Sequence, residues 1–296
     1  MGEIQSEVYI LSRDAEESAR LNRQHDFLVE VYGNNLIHPS IPKENIQSVA
    51  DIATGTGIWL RDAATVLGMQ NRNPSSPYYL HGFDISSAQF QPVPTQTNAE
   101  IYLSLQNCLE PFPPEHHGRY DFVHVRLLIG ALRKGEYELA IKNIFDILKP
   151  GGYFQWEEAN ADSITSDITP QPPSLTESRR LLLDYVEKSG LFTMPANYIK
   201  SEAKRIGFGN LHIEEYNTAS RPHLRDWSRA WLTRLVRLLM PMAMIRLGKA
   251  SEEDVAREMA EELMAEFERE CAEATVGLTM EMVIGKKPER RGVCCK

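Results

Sequence analysis

The chain has 296 residues, 42% of them hydrophobic and 25% charged, enough for one large domain, or a core with a cap, that needs no staples. That balance excludes a largely disordered or collagenous chain, and a net charge of −9 argues against non-specific binding to nucleic acid or anionic membranes. No apolar run approaches the roughly 18–20 residues needed to span a bilayer. The opening MGEIQSEVYI lacks a basic-then-apolar signal pattern. Cys108, Cys271, Cys294 and Cys295 form no CxxC pair, so neither a zinc ribbon nor a disulfide framework is expected, and a reducing, cytoplasmic setting is.

A first helix is predicted from its cap at Ser12. Leu21, Gln24, His25, Leu28, Val31 and Tyr32 share one of its faces, and Gly33 stops it. A proline-punctuated link, IHPSIPKEN, follows. From Val49, short apolar strands alternate with helices. Strands are predicted near 48–53, 79–84, 99–105, 120–125, 152–157, 211–216 and 279–284, and helices near 57–68, 136–148 and 176–206. This alternation predicts an α/β sheet covered on both faces. NRNPSSPYY reads as a loop insertion, and residues 161–176 as a longer polar loop. Helical sequence separates the last two strands. There Trp227, Trp231, Leu235, Leu238, Leu239 and Met242 make one apolar face, and Val255, Met259, Leu263, Phe267 and Cys271 another. Five of the ten methionines lie between Met240 and Met264, which suits either core packing or a surface adapted to apolar ligands.

The most informative segment is SVADIATGTGIWL, residues 48–60. A strand ends, a glycine turn follows and a helix begins. Gly55 and Gly57 permit a tight turn and close backbone approach by a ligand. The helix N-terminus offers free N–H groups and a positive dipole end. The third glycine of a dinucleotide fingerprint is missing and no GK[ST] follows. Asp51 before the turn can fix an ammonium while the turn faces a carboxylate, which is what an amino-acid moiety requires. Asp84 ends the next strand, where a carboxylate can accept from both ribose hydroxyls.

DIATGTG, GFDIS, NCLEPF, YDFVHVRLLIGAL and LKPGGYFQWEE, in that order, resemble the motif series of class I S-adenosylmethionine-dependent methyltransferases. The N-terminal EVYILSRDAEESARLNRQHDFLVEVYGNNLIHPSIP resembles fungal secondary-metabolism methyltransferases of the LaeA-like group. The resemblance implies a Rossmann-like seven-stranded sheet with helices on both faces. It implies S-adenosyl-L-methionine as cofactor and S-adenosyl-L-homocysteine as product. It places Asp51, Gly55 and Gly57 around the methionine end, Asp84 at the ribose, Ile85 along the adenine, and Asn107, Cys108 and Leu109 at the adenine's border. Arg126 falls at the cofactor-facing edge of the fourth strand. Ala53 stands where a glycine is usual, and no Asp occupies position 107 or 108. The expected organisation is a helical arm at 1–46, a cofactor-binding core at 47–218, a helical lid over the acceptor pocket at 219–277, and a last strand with a basic tail at 278–296.

Methyl transfer from a sulfonium needs alignment, exclusion of water and, for some acceptors, a base. Three residues are candidates for catalysis: His25, which with Gln24 matches a QH in the related sequences, and Glu157 and Glu158 at the end of the fifth strand. Strand alternation lets only one of the two glutamates point inward. His124 reads as a core histidine, His116 and His117 as solvated, and Arg225, Arg229, Arg234 and Arg237 as a solvated face. No His/Cys/Asp/Glu cluster has metal-ligand spacing. The expected partner is a small, apolar or aromatic secondary metabolite, methylated on O or N. No nucleic acid or membrane partner is expected, and a homodimer stays open. Two other readings share the fold: a pericyclase or cyclase that binds the cofactor without methyl transfer, and a LaeA-like regulator.

Overall fold

The structure is a computed structural model and describes residues 14–68, 77–92 and 99–289. The Ser12 cap, most of the NRNPSSPYY loop and the basic tail with Cys294 and Cys295 lie outside these residues.

Helix α1 (Ala15–Val31) is capped by Asp14, whose Oδ1 accepts from the Glu17 N–H at 2.9 Å. The strands are β1 (Ser48–Ile52), β2 (Tyr78–Asp84), β3 (Ala99–Leu105), β4 (Tyr120–Arg126), β5 (Leu148–Ser166), β6 (Gly209–Asn217) and β7 (Val276–Lys286). Between them run α2 (Ile58–Gly68), α3 (Tyr137–Ile147), α4 (Pro173–Lys188), α5 (Ala196–Ile206), α6 (Arg225–Arg246) and α7 (Glu253–Glu270). The seven strands form one sheet in the order β3-β2-β1-β4-β5-β7-β6, with β3, β2, β1, β4 and β5 parallel. All five residues of β1 are buried, as a central strand covered on both faces requires. The strand order reverses direction between β1 and β4, so the carboxyl ends of β1, β2, β3 and β4 form the edge where such sheets bind ligands.

The chain packs as two units, with boundaries inside β5, β6 and β7. The first takes in Met1–Glu157, Ala196–Glu214 and Met282–Lys296. Its core includes Trp59, Trp156, Tyr120, Phe122 and Phe154, all fully buried or nearly so. The second takes in Glu158–Pro195 and Glu215–Glu281. In it α4, α6 and α7 pack on one another, and the Ser174 N–H and hydroxyl both donate to Glu270 Oε2. The region set apart from the core therefore includes α4 as well as the predicted 219–277 helices.

Five expectations change. The predicted loop at 161–176 is largely strand, because β5 runs on to Ser166 and α4 starts at Pro173. The predicted single helix at 176–206 is two, separated where Gly190 takes a left-handed φ of 73°. The buried ridge of α6 is Ser228, Leu232, Val236, Met240 and Ala243, one position round from the predicted face, and Trp227 and Leu238 lie exposed. On α7 the ridge is Ala256, Ala260, Met264 and Phe267, leaving Val255 exposed. His116 is not solvated. It is buried, its Nδ1 is 2.8 Å from the Tyr120 hydroxyl, and it packs against Phe83.

Candidate active site

The turn after β1 is held at both ends. The Thr54 N–H donates to the Phe83 carbonyl at 3.0 Å, and the Gly57 N–H donates to the Thr54 carbonyl at 2.9 Å. Gly55 and Gly57 take φ of +54° and +74°. A Cβ on Gly55 would press on Leu21 Cδ1 of α1 at 3.3 Å, and one on Gly57 on Leu103 Cδ2 at 3.3 Å. The left-handed backbone favours glycine at both positions, and a leucine end would have to give way to either Cβ. Ala53 also sits in the left-handed region, at φ 57°. That conformation costs an L-residue about 1–2 kcal/mol, and glycine's greater freedom when unfolded returns part of it. Ala53→Gly is expected to raise stability by about 0.5–1 kcal/mol, read as a higher urea midpoint at unchanged slope.

Asp84 faces this turn from the end of β2. Its Oδ2 accepts from the Gly55 N–H at 2.9 Å and its Oδ1 from the Ser86 N–H at 3.1 Å. Ile85 beside it is 55% exposed, so an apolar face is available next to the carboxylate. The turn after β3 is tied to β2 by the Gln106 N–H, which donates to the Asp84 carbonyl. Asn107 Oδ1 accepts from the Leu109 N–H at 3.0 Å and shapes that turn. Burial, with the Asp84 charge as a second cause, pushes the Cys108 thiol up to about 12, so it stays neutral. The structure thus brings Gly55, Gly57, Asp84, Ile85, Asn107, Cys108 and Leu109 to one sheet edge.

Helix α1 lies on the glycine turn. Besides the Leu21 contact, the Thr56 hydroxyl donates to Asn22 Oδ1 at 2.7 Å. Neither Asn22 nor Thr56 stands out in the sequence.

Behind the turn runs a buried chain of polar groups. Asp51, 2% exposed, accepts from the Thr54 hydroxyl at 2.6 Å through Oδ2 and lies 2.7 Å from His124 Nδ1 through Oδ1. His124 Nε2 is 3.3 Å from Glu157 Oε1. Gln155 Nε2 donates to that same oxygen at 2.6 Å, and Glu157 Oε2 sits 3.9 Å from Arg126 Nη1 without a hydrogen bond. Burial works against charge on His124, and the Glu157 and Asp51 carboxylates outweigh it, so its pKa is raised. Burial likewise works against charge on Glu157, and His124 and Arg126 hold its pKa below the usual carboxylate range. An imidazolium donating from both nitrogens satisfies one oxygen of each carboxylate. Two carboxylates, one imidazolium and one guanidinium sum to zero, the condition under which buried charges persist. The His124 ring stacks on Trp59 of α2, with centroids 3.9 Å apart and planes within 5°.

Arg126 carries the chain onward to the arm. Its Nη2 donates to His25 Nδ1 at 3.1 Å. A guanidinium only donates, so Nδ1 accepts and Nε2 carries the proton, which it donates to Asp62 Oδ2 at 2.9 Å. His25 is fully buried and burial lowers its pKa, keeping it neutral. With both nitrogens engaged, His25 holds no lone pair free for an acceptor's proton in this arrangement. Of the two glutamates expected to alternate, both are buried, because β5 is covered on both faces. Glu157 joins the polar chain, and Glu158 falls in the second unit. The sheet register lines up Asp51 with His124 and His124 with Gln155, and sets Arg126 opposite Glu157. Polar residues inside otherwise apolar strands were the available signal, and pairing them needed the strand order.

A methyltransferase-domain profile matches residues 21–213. Methyltransferase grgD of a Penicillium species is 32% identical over 277 residues, spanning 90% of this chain and 92% of that protein. N-methyltransferase gliN of Aspergillus fumigatus is 31% identical over 202 residues, 67% of each chain. A chain from the complex between the Haloferax volcanii Trm112 methyltransferase activator and a methyltransferase shares the fold at a TM-score of 0.50 and 13% identity, covering 97% of this chain and 100% of that one. A profile match over most of the length, and a relative similar from end to end, show that this chain belongs to the S-adenosyl-L-methionine-dependent methyltransferase family.

Proposed function

We propose that the chain methylates a nitrogen or oxygen of a small secondary metabolite, with Gly55, Gly57 and Asp84 holding the cofactor. The observation that carries this is the left-handed glycine turn, where a Cβ on Gly55 or Gly57 would meet a leucine end at 3.3 Å, facing a part-exposed carboxylate at the end of the next strand. These residues fit S-adenosyl-L-methionine. The turn admits close backbone approach by its amino-acid end, Asp84 has acceptor capacity for ribose hydroxyls, and Ile85 with the Asn107–Leu109 turn offers a border for the adenine. When bound, the cofactor supplies a methyl group activated by a sulfonium. The chain's own task is to align the acceptor and exclude water.

Asp51 acts through the turn, since its carboxylate is spent on Thr54 and His124. His25 is assigned to docking α1 over the turn and orienting Arg126, in place of the base role the sequence suggested. Glu157 orients Arg126 and neutralises His124, and Glu158 keeps no assigned step. The N-methyltransferase name of gliN favours nitrogen as the methylated atom. Incubation with fractionated metabolite extracts should give a product heavier by one methyl in place of one hydrogen, together with S-adenosyl-L-homocysteine. Consumption of no acceptor, despite cofactor binding, would turn the reading to the pericyclase or regulatory alternatives.

The two roles for His25 separate by pH. Its folded pKa lies below the unfolded value of about 6.5, so its contribution is present above that pH and is lost as pH falls through the folded pKa. The arm of the wild type should become protease-sensitive on acidification, and His25→Ala should already be sensitive at pH 7.5. If His25 only positions, the acidic limb of the kcat profile survives in His25→Ala while cofactor KM rises. Loss of that limb with unchanged KM would restore the base.

A further inference from the structure

We propose that His38, His212 and Glu214 form a site for a divalent transition cation of the zinc class, separate from the cofactor edge. Their ligand atoms all lie within 4.8 Å of one another. A tetrahedral shell with bonds of about 2.1 Å spaces its ligands about 3.4 Å apart, so modest side-chain rotation closes the set. Two histidines and one carboxylate are a donor set suited to zinc, with a fourth position left for water. His212 and Glu214 are two residues apart on β6 and so share a strand face. His38 comes from the link between α1 and β1, 174 positions away, which is why spacing along the chain could not show the site.

The geometry around the ligands also suits a metal. His212 Nδ1 lies 3.3 Å from the Asn210 carbonyl, a contact that protonates Nδ1 and leaves Nε2 to ligate. His38 Nδ1 lies 2.7 Å from the Ser40 hydroxyl, a partner it can donate to once its weaker 3.2 Å contact from the Ser40 N–H is given up. A metal here would fasten the linker to β6. The same linker is held to β5 by Gln155, which accepts from the His38 N–H at 2.9 Å and donates to the Leu36 carbonyl at 3.1 Å.

The test is calorimetric titration of zinc into metal-free full-length protein, with no methyl donor or acceptor present, so that its outcome is independent of catalysis. One equivalent should bind. His38→Ala and His212→Ala should each weaken binding at least tenfold, and Glu214→Gln should weaken it measurably. His223→Ala should change nothing. Zinc should raise the Tm of the wild type and leave that of His212→Ala unmoved. Circular dichroism verifies that each variant is folded, and Glu214, an exposed side chain, supplies a variant with little risk to the fold. Absence of zinc binding by folded wild type, or affinity unchanged in both histidine variants, would overturn the proposal.

Discussion

Replacing His124 with phenylalanine is expected to destabilise the fold by about 3–5 kcal/mol, the range for breaking a buried charge pair from one side. Phenylalanine keeps the ring that stacks on Trp59, so packing is largely conserved. What disappears is the pair of N–H donors between Asp51 and Glu157, which are 2% and 1% exposed. Asp51 retains only the Thr54 hydroxyl, and Glu157 retains Gln155 and the more distant Arg126. At roughly 2–4 °C per kcal/mol for a domain somewhat smaller than this chain, Tm should fall on the order of 10 °C. Adding Glu157→Gln in the same background should recover part of the loss, because it removes one of the stranded charges. The pH dependence follows from the two shifts. His124 has a raised folded pKa, so its contribution is full below about 6.5 and lost as pH rises through the folded value. Glu157 has a depressed folded pKa, so its contribution is full above about 4.3 and lost as pH falls through the folded value. The stability gap between wild type and His124→Phe should be widest near pH 5–6 and narrow on both sides. A gap independent of pH would mean that the three groups do not act as ions.

Asp84→Ala is expected to weaken cofactor binding by one to two orders of magnitude, about 1.4–2.8 kcal/mol. Two losses combine. The carboxylate proposed to accept from the ribose is gone, and the Gly55 N–H loses the acceptor that sets the turn. Thermal shift reads both. In wild type the Tm should climb with S-adenosyl-L-homocysteine concentration, since a ligand bound only by the folded state stabilises it. In the variant the same climb should need ten to a hundred times more ligand. An unliganded Tm close to wild type would identify the effect as binding, because Asp84 is only half-buried.

Much of this was legible in the sequence, for physical reasons. Strand positions announced themselves as short apolar runs, and the glycine turn and Asp84 fell where an α/β sheet places ligand-binding residues. The helix faces of α6 and α7 were harder. Their apolar residues are spread around each helix, so Trp227 and Val255 competed with Leu232 and Ala256 for the buried side, and only packing decides. The run from Asp62 through His25, Arg126, Glu157 and His124 to Asp51 joins five elements, α2, α1, β4, β5, β4 again and β1. His25, Arg126, Glu157 and His124 each had an ordinary reading alone, as base, edge cation, acid and core histidine, Asp51 had one as a ligand contact, and Asp62 had none. Their shared role depends on register, which a single sequence does not carry. The same holds for His38 with His212 and Glu214.

Calorimetric titration of S-adenosyl-L-homocysteine and S-adenosyl-L-methionine into folded, ligand-free wild type tests the cofactor site directly. A single site of micromolar or tighter affinity is expected for each, weakened in Asp84→Ala. Absence of binding to a chain shown to be folded would contradict the assignment of Gly55, Gly57 and Asp84 as the cofactor site.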